Sequence, residues 1–197
     1  MTLLLKLSQL IDWLTERVGK GAFWLVLIMT LISAGNAVVR FIFNYSSNGL
    51  LEIQWYLFAA VFLLCSPYTL QKNEHVRIDV LSGKLSPRGL AVIDIIGTLF
   101  FLLPMVIVVL WLSLPLVAES YKINEMSANA GGLIRWPVKL LLPIGFTLLA
   151  LQGISELIKR IAFLAGMIDD PNSKEKGPTP EEELAAAIAA AKAQEAK

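Results

Sequence analysis

The chain contains one cysteine and one histidine among its 197 residues, and this scarcity excludes several kinds of site. Cys65 cannot form an internal disulfide, and its apolar surroundings give no firm indication of the redox compartment. His75 alone cannot supply the two axial ligands of a bis-histidine haem anchor. A dedicated metal site normally needs three or four protein ligands of these types. We therefore expect no metal and no cofactor.

Motifs for catalysis and nucleic-acid binding are missing too. The sequence has no Gly-rich phosphate loop, no C-x-x-C pair and no H-E-x-x-H pattern. The net charge is only +1, which gives no reason to expect a nucleic-acid partner. The sequence therefore predicts neither an enzyme nor a nucleic-acid-binding protein.

What the chain has in excess is apolar sequence in long runs. It is 56% hydrophobic with a mean hydropathy of +0.64, whereas soluble domains are about 45–50% apolar. A run of ~20 apolar residues is long enough to cross a bilayer as a helix. The pattern predicts an all-α integral membrane protein, with a transmembrane domain over residues 21–160. Its four transmembrane helices are expected at about 21–43, 50–70, 90–114 and 138–158.

The two ends of the chain differ from the spans. Residues 1–20 place leucines on one helical face and charges on the other, which predicts an amphipathic interfacial helix with Trp13 at headgroup depth. The alternative is a simple N-terminal extension of the first span. Residues 161–197 are expected to form a polar linker and an alanine-rich, solvated helical tail without chemistry.

Prolines and turn residues set the expected boundaries inside the transmembrane domain. The short loop at 44–48 predicts an antiparallel hairpin of the first two spans. Pro104 is expected to kink the third span, and Pro115 to mark its end. Residues 116–136 then form the longest loop between spans.

The distribution of Lys and Arg predicts the orientation. Nine of them lie near the N-terminus, in the loop after the second span or just after the fourth span, against four on the other side. Because positive residues concentrate on the cytoplasmic side, both termini are expected in the cytoplasm of a bacterium, with the spans in its inner membrane.

Arg40 and Glu52 are the first candidate site residues. Each lies about one turn from the loop that joins the first two spans, so their depths should match. Because a buried unpaired charge is expensive, we hypothesise that they pair with each other or face a partner subunit. The alternative is that each side chain reaches water independently.

A dense charged segment follows the second span. His75, Arg77 and Asp79 alternate with apolar residues there. One interpretation is a clamp in which Arg77 binds a lipid phosphate or a partner carboxylate. The other is a solvated loop that carries positive-inside residues. Further along, Asp94 could pair with Arg88 or Lys84, or contact solvent.

The charged residues lie near the ends of the spans, and the middle of each span has none. A transport pathway needs polar or ionisable groups, or broken helices, at mid-membrane depth. The absence of charged residues from the middle of the spans is therefore typical of an accessory subunit that has no substrate path of its own.

Glu156 and Arg160, four residues apart, could pair along the last turn of the fourth span.

Two groups of short motifs carry a family resemblance over roughly residues 20–160. The first group includes Arg40-Phe41-Ile42-Phe43-Asn44, Glu52 and His75-Val76-Arg77-Ile78-Asp79-Val80. The second includes Arg135-Trp136-Pro137 and Pro143-Ile144-Gly145-Phe146. In order and spacing they resemble the small membrane subunit of tripartite ATP-independent periplasmic (TRAP) transporters, within the mannitol/chloroaromatic-like branch.

The resemblance implies two partners, a large membrane subunit on a separate chain and a soluble periplasmic substrate-binding protein. It implies that the large subunit holds the substrate and sodium sites and moves as an elevator, while the small subunit braces the scaffold. Arg40, Glu52, Arg135 and Trp136 would then face the periplasmic side. His75, Arg77 and Asp79 would lie at lipid or subunit contacts on the cytoplasmic side.

The sequence leaves three other functions to be distinguished from this one. The chain could anchor a quinone-linked redox complex, although one histidine argues against haem. It could be a membrane enzyme acting on lipids, but no acid–base or nucleophile set is present. It could also be an independent carrier that works as a small homo-oligomer.

Overall fold

The computed structural model of the chain describes residues 2–45, 47–74 and 86–171, so His75, Arg77 and Asp79 lie outside the described residues. The helices are α1 (Thr2–Phe43), α2 (Asn48–Gln71), α3 (Pro87–Gly97), a π-helical turn (Thr98–Leu102), α4 (Leu103–Lys122) and α5 (Trp136–Leu164). Four helical runs are long and apolar enough to span a membrane, the third being Pro87–Lys122. The predicted all-α membrane class is therefore confirmed.

Helix α1 is longer than a membrane span requires. Its 42 residues run without a break, which corresponds to ~63 Å at 1.5 Å per residue, about twice the thickness of the hydrocarbon core. The structure thus has no helix boundary near residue 20, where the sequence analysis placed one. Glycines 19 and 21 do not interrupt the helix, because a helical glycine costs only about 1 kcal/mol and Gly19 packs against Tyr68. An interfacial position for residues 1–20 stays a prediction.

The third span shows how its two prolines act. The amide of Leu103 donates to the carbonyl of Thr98, five residues back, so the turn before Pro104 is widened. Proline lacks an N–H and crowds the carbonyl four residues earlier, and a π turn is one way for a helix to accommodate this. Pro115, in contrast, lies inside α4, which continues to Lys122. Pro115 therefore does not end the helix, because membrane helices tolerate interior prolines, and a membrane boundary near residue 114 stays a prediction.

The connections define the two ends of the bundle. The N-terminal end of α2 and residues 123–135 lie together at what we call the loop end, where Asn48 Nδ2 donates to the carbonyl of Ala130 at 2.9 Å. The second connection is shorter than the loop predicted at 116–136 because α4 extends to Lys122 and α5 begins at Trp136. The opposite end of the bundle, where Asp12 lies, is called the Asp12 end.

Helix α5 is the centre of the bundle. In its most apolar window, 44% of the residues are buried, compared with 11% or less in the other three spans. Close approach to α2 depends on Gly145, since a Cβ there would lie 2.8 Å from Leu63 Cβ and 2.9 Å from the Leu63 carbonyl oxygen. Small residues at such contacts let membrane helices pack backbone to backbone. Glycine at 145 therefore fixes the α2–α5 distance.

Candidate functional site

A buried carboxylate organises the loop end. Glu52 lies in the first turns of α2 and is only 3% exposed. Its Oε1 accepts hydrogen bonds from the Ser127 hydroxyl and, at 2.8 Å, from Asn129 Nδ2, while its Oε2 accepts one from the Leu133 amide at 2.7 Å. We call Glu52, Ser127, Asn129 and Leu133 the Glu52 clasp. Hydrogen bonds to a charged acceptor are about twice as strong as neutral ones, so the clasp ties the loop to α2.

The loop folds back on itself to present these donors. The Ser127 amide donates to the Leu133 carbonyl at 2.9 Å, and Met126 and Ile134 form an isolated antiparallel bridge. Gly131 has a φ of +69°, a conformation that favours glycine. The next residue, Gly132, leaves no room for a Cβ, which would lie 2.5 Å from Ser127 Cβ. The Gly131–Gly132 pair is thus required by the geometry of the clasp.

One face of α2 packs against this loop. Asn48, Glu52 and Tyr56 are spaced four residues apart, which places them on the same side of a helix. Each contacts the loop, Asn48 through the Ala130 carbonyl and Tyr56 by donating to the Ile134 carbonyl at 3.1 Å. The outer half of α2 and the loop therefore act as one unit.

The structure does not bring Arg40 and Glu52 together. Both Glu52 oxygens already accept hydrogen bonds from the loop, and Arg40 lines a separate cavity with Asn36 and Gln54. Within residues 2–45, 47–74 and 86–171, no ion pair joins the two side chains. Glu52 is satisfied by donors that come from the other loop. That either residue faces a partner subunit stays a prediction.

Trp136 is the first residue of α5, Arg135 directly precedes it, and both close the loop. The Arg135 amide donates to the Glu125 carbonyl at 2.8 Å, and the Trp136 ring meets the Tyr121 ring edge-on with centroids 5.4 Å apart. Both residues therefore have a structural role at the loop end. Their contact with a partner or with lipid is untested.

Glu125 forms an ion pair with Lys139 at the same end. The hydrogen bond from Lys139 is the main cause that lowers the pKa of Glu125 below its usual value of 4.5. A lowered pKa in the folded state means that the pair stabilises the loop above pH 4.5, and that this contribution is lost as pH falls through the folded pKa.

The pair makes the loop sensitive to acid. We expect proteolysis of the loop to accelerate as pH falls below about 4.5 in the wild type, and to depend less on pH in Lys139→Gln. The measurement is limited cleavage by an acid-active protease between pH 3 and 6, with Lys122→Gln as the matched control. An equal pH profile in wild type and Lys139→Gln would contradict the assignment.

The Asp12 end holds a second polar network. Asp12 Oδ1 accepts from Gln152 Nε2 at 2.9 Å and from the Ser155 hydroxyl at 2.8 Å, and Lys159 Nζ lies 3.1 Å from Oδ2. Ser8 and Ser155, both buried, are hydrogen-bonded at 2.7 Å. These contacts fasten the first third of α1 to the last half of α5.

The network continues to α3 through Arg160. Its Nη2 lies 3.9 Å from Glu156, so the predicted pair four residues apart is confirmed. Its Nε lies 3.4 Å from Asp94. Asp94 therefore pairs with Arg160 on α5. A pair of Asp94 with Lys84 stays a prediction, because Lys84 lies outside the described residues. Among the described residues, no group of three or more His, Cys, Asp or Glu side chains is arranged to hold a metal ion.

Most of these contacts were not predicted from the sequence. The signal available for the network was polar spacing, since Ser8, Asp12 and Thr15 recur once per turn on α1, as do Gln152, Ser155 and Lys159 on α5. On α1, Asp12 was assigned to the charged face of an interfacial helix. The signal for the clasp was weaker, a Ser, an Asn and two glycines in one loop.

Comparison with known proteins agrees with a transporter component. A family model described as "Tripartite ATP-independent periplasmic transporters, DctQ component" matches residues 29–163, more than half of the chain. A comparison with curated proteins found no match. The matched range includes α2, α3, α4, the Glu52 clasp, the C-terminal third of α1 and α5 up to residue 163. The chain therefore belongs to the DctQ family, and it is the small membrane subunit of a TRAP transporter and not an enzyme.

Proposed function

We propose that this subunit is a static brace for the large membrane subunit of its transporter. In this role it holds the stationary scaffold of the elevator subunit. The transport itself is sodium-coupled uptake of an organic solute of the carboxylate type, delivered by a periplasmic binding protein. DctQ components work with a large membrane subunit and a periplasmic binding protein, whereas the bracing role and the coupling ion are our inference.

The observation that carries the proposal is that the polar groups at each end hold this chain together. The Glu52 clasp fastens the loop to α2, and the Asp12 network fastens α1 and α3 to α5. Between these ends no span contains an Asp, Glu, Lys, Arg or His residue. A mobile transport domain needs ionisable or broken-helix sites at mid-membrane depth. A rigid bundle without them suits the stationary part of the complex.

The membrane orientation follows from the same proposal. The excess of Lys and Arg at the Asp12 end supports a cytoplasmic position for that end. The loop end, with the clasp, then lies on the periplasmic side of the bacterial inner membrane. Whether the loop touches the binding protein is part of the test.

The test is uptake into liposomes that contain the large subunit with or without this chain, with binding protein and solute outside and an inward sodium gradient. We expect uptake only when both membrane subunits are present, and its loss when potassium replaces sodium. Equal uptake by the large subunit alone would contradict the bracing role. Uptake by this chain alone would identify it as an independent carrier.

A disulfide distinguishes a static brace from a moving part. Asn48→Cys with Ala130→Cys, in a Cys65→Ser background, would lock the loop to α2 at a place where the two residues already touch. We expect the oxidised double variant to transport as fast as each single-cysteine control. A loss of uptake that a reductant restores would show that the loop must leave α2 during transport.

A further inference from the structure

The π-helical turn in the third span leaves one backbone carbonyl without a helical donor. In a regular α-helix the Leu99 carbonyl would accept from the N–H four residues later, which belongs to Leu103. That N–H is given to the Thr98 carbonyl instead. The N–H five residues later, which a π-helix would use, does not exist because residue 104 is proline. The helix itself therefore cannot satisfy the Leu99 carbonyl.

This carbonyl lies on a side of the span that α5 does not cover. Helix α5 approaches the turn from another side, where Gly153 lies against three of its neighbours, Thr98, Leu102 and Leu103. Leu99 is 47% exposed and Phe100 is 66% exposed. Within residues 2–45, 47–74 and 86–171, no side chain donates to the Leu99 carbonyl. A donor must therefore come from outside the described chain.

The surroundings of the turn exclude water and lipid as that donor. No charged residue occurs from 95 to 118, and the exposed side chains next to the carbonyl are large and apolar, namely Phe100, Phe101 and Met105. The turn thus lies in the hydrocarbon region, where acyl chains have no N–H or O–H and water is absent. Membrane helices tolerate an interior proline because neighbouring helices supply donors to the freed backbone groups. On this side the neighbour must belong to another protein chain.

We propose that the outer face of the π-helical turn, formed by Leu99, Phe100 and Pro104, docks on a transmembrane helix of the large subunit. A side chain of that helix donates a hydrogen bond to the Leu99 carbonyl. A hydroxyl or amide (Ser, Thr, Asn or Gln) suits this role, because such groups join helices in membranes and a charge at this depth is costly. The inference rests on the proposed bracing role, since it locates where the brace meets the scaffold.

The exposed rings give the proposed contact its apolar part. Phe100 and Phe101 are 66% and 73% exposed on either side of the carbonyl. Packed against a partner helix, they surround the hydrogen bond and keep it in a low dielectric, where it is strongest. One fixed acceptor between two rings also sets the register of the partner helix.

Photo-crosslinking in native membranes tests whether the large subunit covers this face. The crosslinking residue benzoylphenylalanine is placed at position 100 of the full chain, co-expressed with its large subunit. Position 62 on α2 is the matched control, because Phe62 is as exposed as Phe100, 68% against 66%. We expect at least fivefold more adduct with the large subunit from position 100. Equal yields from the two positions would overturn the proposal, and so would adducts from position 100 with lipid alone or with a second copy of this chain.

Replacing Pro104 with alanine tests the hydrogen bond. Pro104→Ala returns an N–H to this stretch, so the helix can satisfy the Leu99 carbonyl without a partner. We expect the large subunit to bind this variant about three- to tenfold more weakly, the range of interhelical hydrogen bonds in membranes. The isolated chain, in contrast, should unfold at or above the wild-type temperature, because a helix-breaking residue has been removed. Weaker binding by a more stable chain cannot be explained by misfolding.

Pro115→Ala is the control for this variant. Pro115 lies in the same span, but within the regular helix α4, where the carbonyl four residues earlier can still reach the N–H of Leu116. Binding of the large subunit should therefore be unchanged in Pro115→Ala. Unchanged binding in Pro104→Ala, or equal weakening in both variants, would refute the proposed hydrogen bond.

These results can be separated from those of the uptake experiment. If the large subunit transports without this chain, the bracing role is wrong, yet an adduct from position 100 would still identify the contact. If uptake needs both membrane subunits but position 100 reaches only lipid, the bracing role stands and this surface is wrong.

Discussion

Replacing Glu52 with leucine is expected to release residues 123–135 from α2 while the four spans stay folded. The change leaves three donors without their acceptor, namely the Ser127 hydroxyl, the side-chain amide of Asn129 and the backbone N–H of Leu133. A buried donor that loses its partner costs about 1–3 kcal/mol, and water at the loop end will recover part of that cost. We therefore expect a local loss of roughly 2–4 kcal/mol, since three donors are involved.

Hydrogen exchange measures this loss directly. The Leu133 amide should exchange about 30- to 700-fold faster in Glu52→Leu, because 1.4 kcal/mol corresponds to a factor of ten. Glu52→Gln should fall between, since an amide keeps one acceptor oxygen but loses the charge. The matched control is Glu119→Leu, which removes an exposed carboxylate at the end of α4. Unchanged protection of the segment 127–133 in Glu52→Leu would refute the clasp.

Replacing Gly145 with leucine is expected to destabilise the whole bundle. The new Cβ would collide with the Leu63 carbonyl oxygen, a backbone atom that cannot rotate away. Overpacking costs typically 1–3 kcal/mol and sometimes more, and we expect about 3 kcal/mol because α2 and α5 must separate along their contact. Because α5 is the central helix, its other contacts weaken as well.

Thermal unfolding in detergent provides the measurement, and α1 provides the control. Gly35 is also a helical glycine, but a Cβ there has no neighbour within 4 Å. Gly35→Leu should therefore unfold at or above the wild-type temperature, whereas Gly145→Leu should unfold well below it. Similar midpoints for the two variants would show that the close α2–α5 approach is not required.

The membrane class could be predicted from sequence because apolar length is a local property. Helix α2 was placed within two residues at each end, at Asn48–Gln71. Two expected boundaries have no helix end in the structure. The one near residue 20 rested on the change from an amphipathic to an apolar pattern, and the one near 114 rested on Pro115. A change of pattern does not interrupt backbone hydrogen bonds, and membrane helices tolerate an interior proline, so α1 and α4 continue through these positions.

The two polar sites were harder to predict because their partners are distant in sequence. The Glu156–Arg160 pair was predicted, since four residues on a helix fix the distance. Glu52 was selected as a residue that needs a partner, with Arg40 or a partner subunit in mind, but its donors come from a loop 75 to 81 residues later. Periodicity places a residue on a face, and it does not say which other helix or loop covers that face.

The contact between Asp12 and α5 has a consequence for how the protein is made. Lys159 follows Asp12 by 147 residues. At a synthesis rate of about 5–20 residues per second, roughly 7–30 seconds pass between the appearance of the two side chains. Throughout that interval α1 is in the membrane without its contacts to α5, and a chain truncated before α5 never forms these contacts. The first helix to be inserted thus forms some of its native contacts only after the last helix has been made.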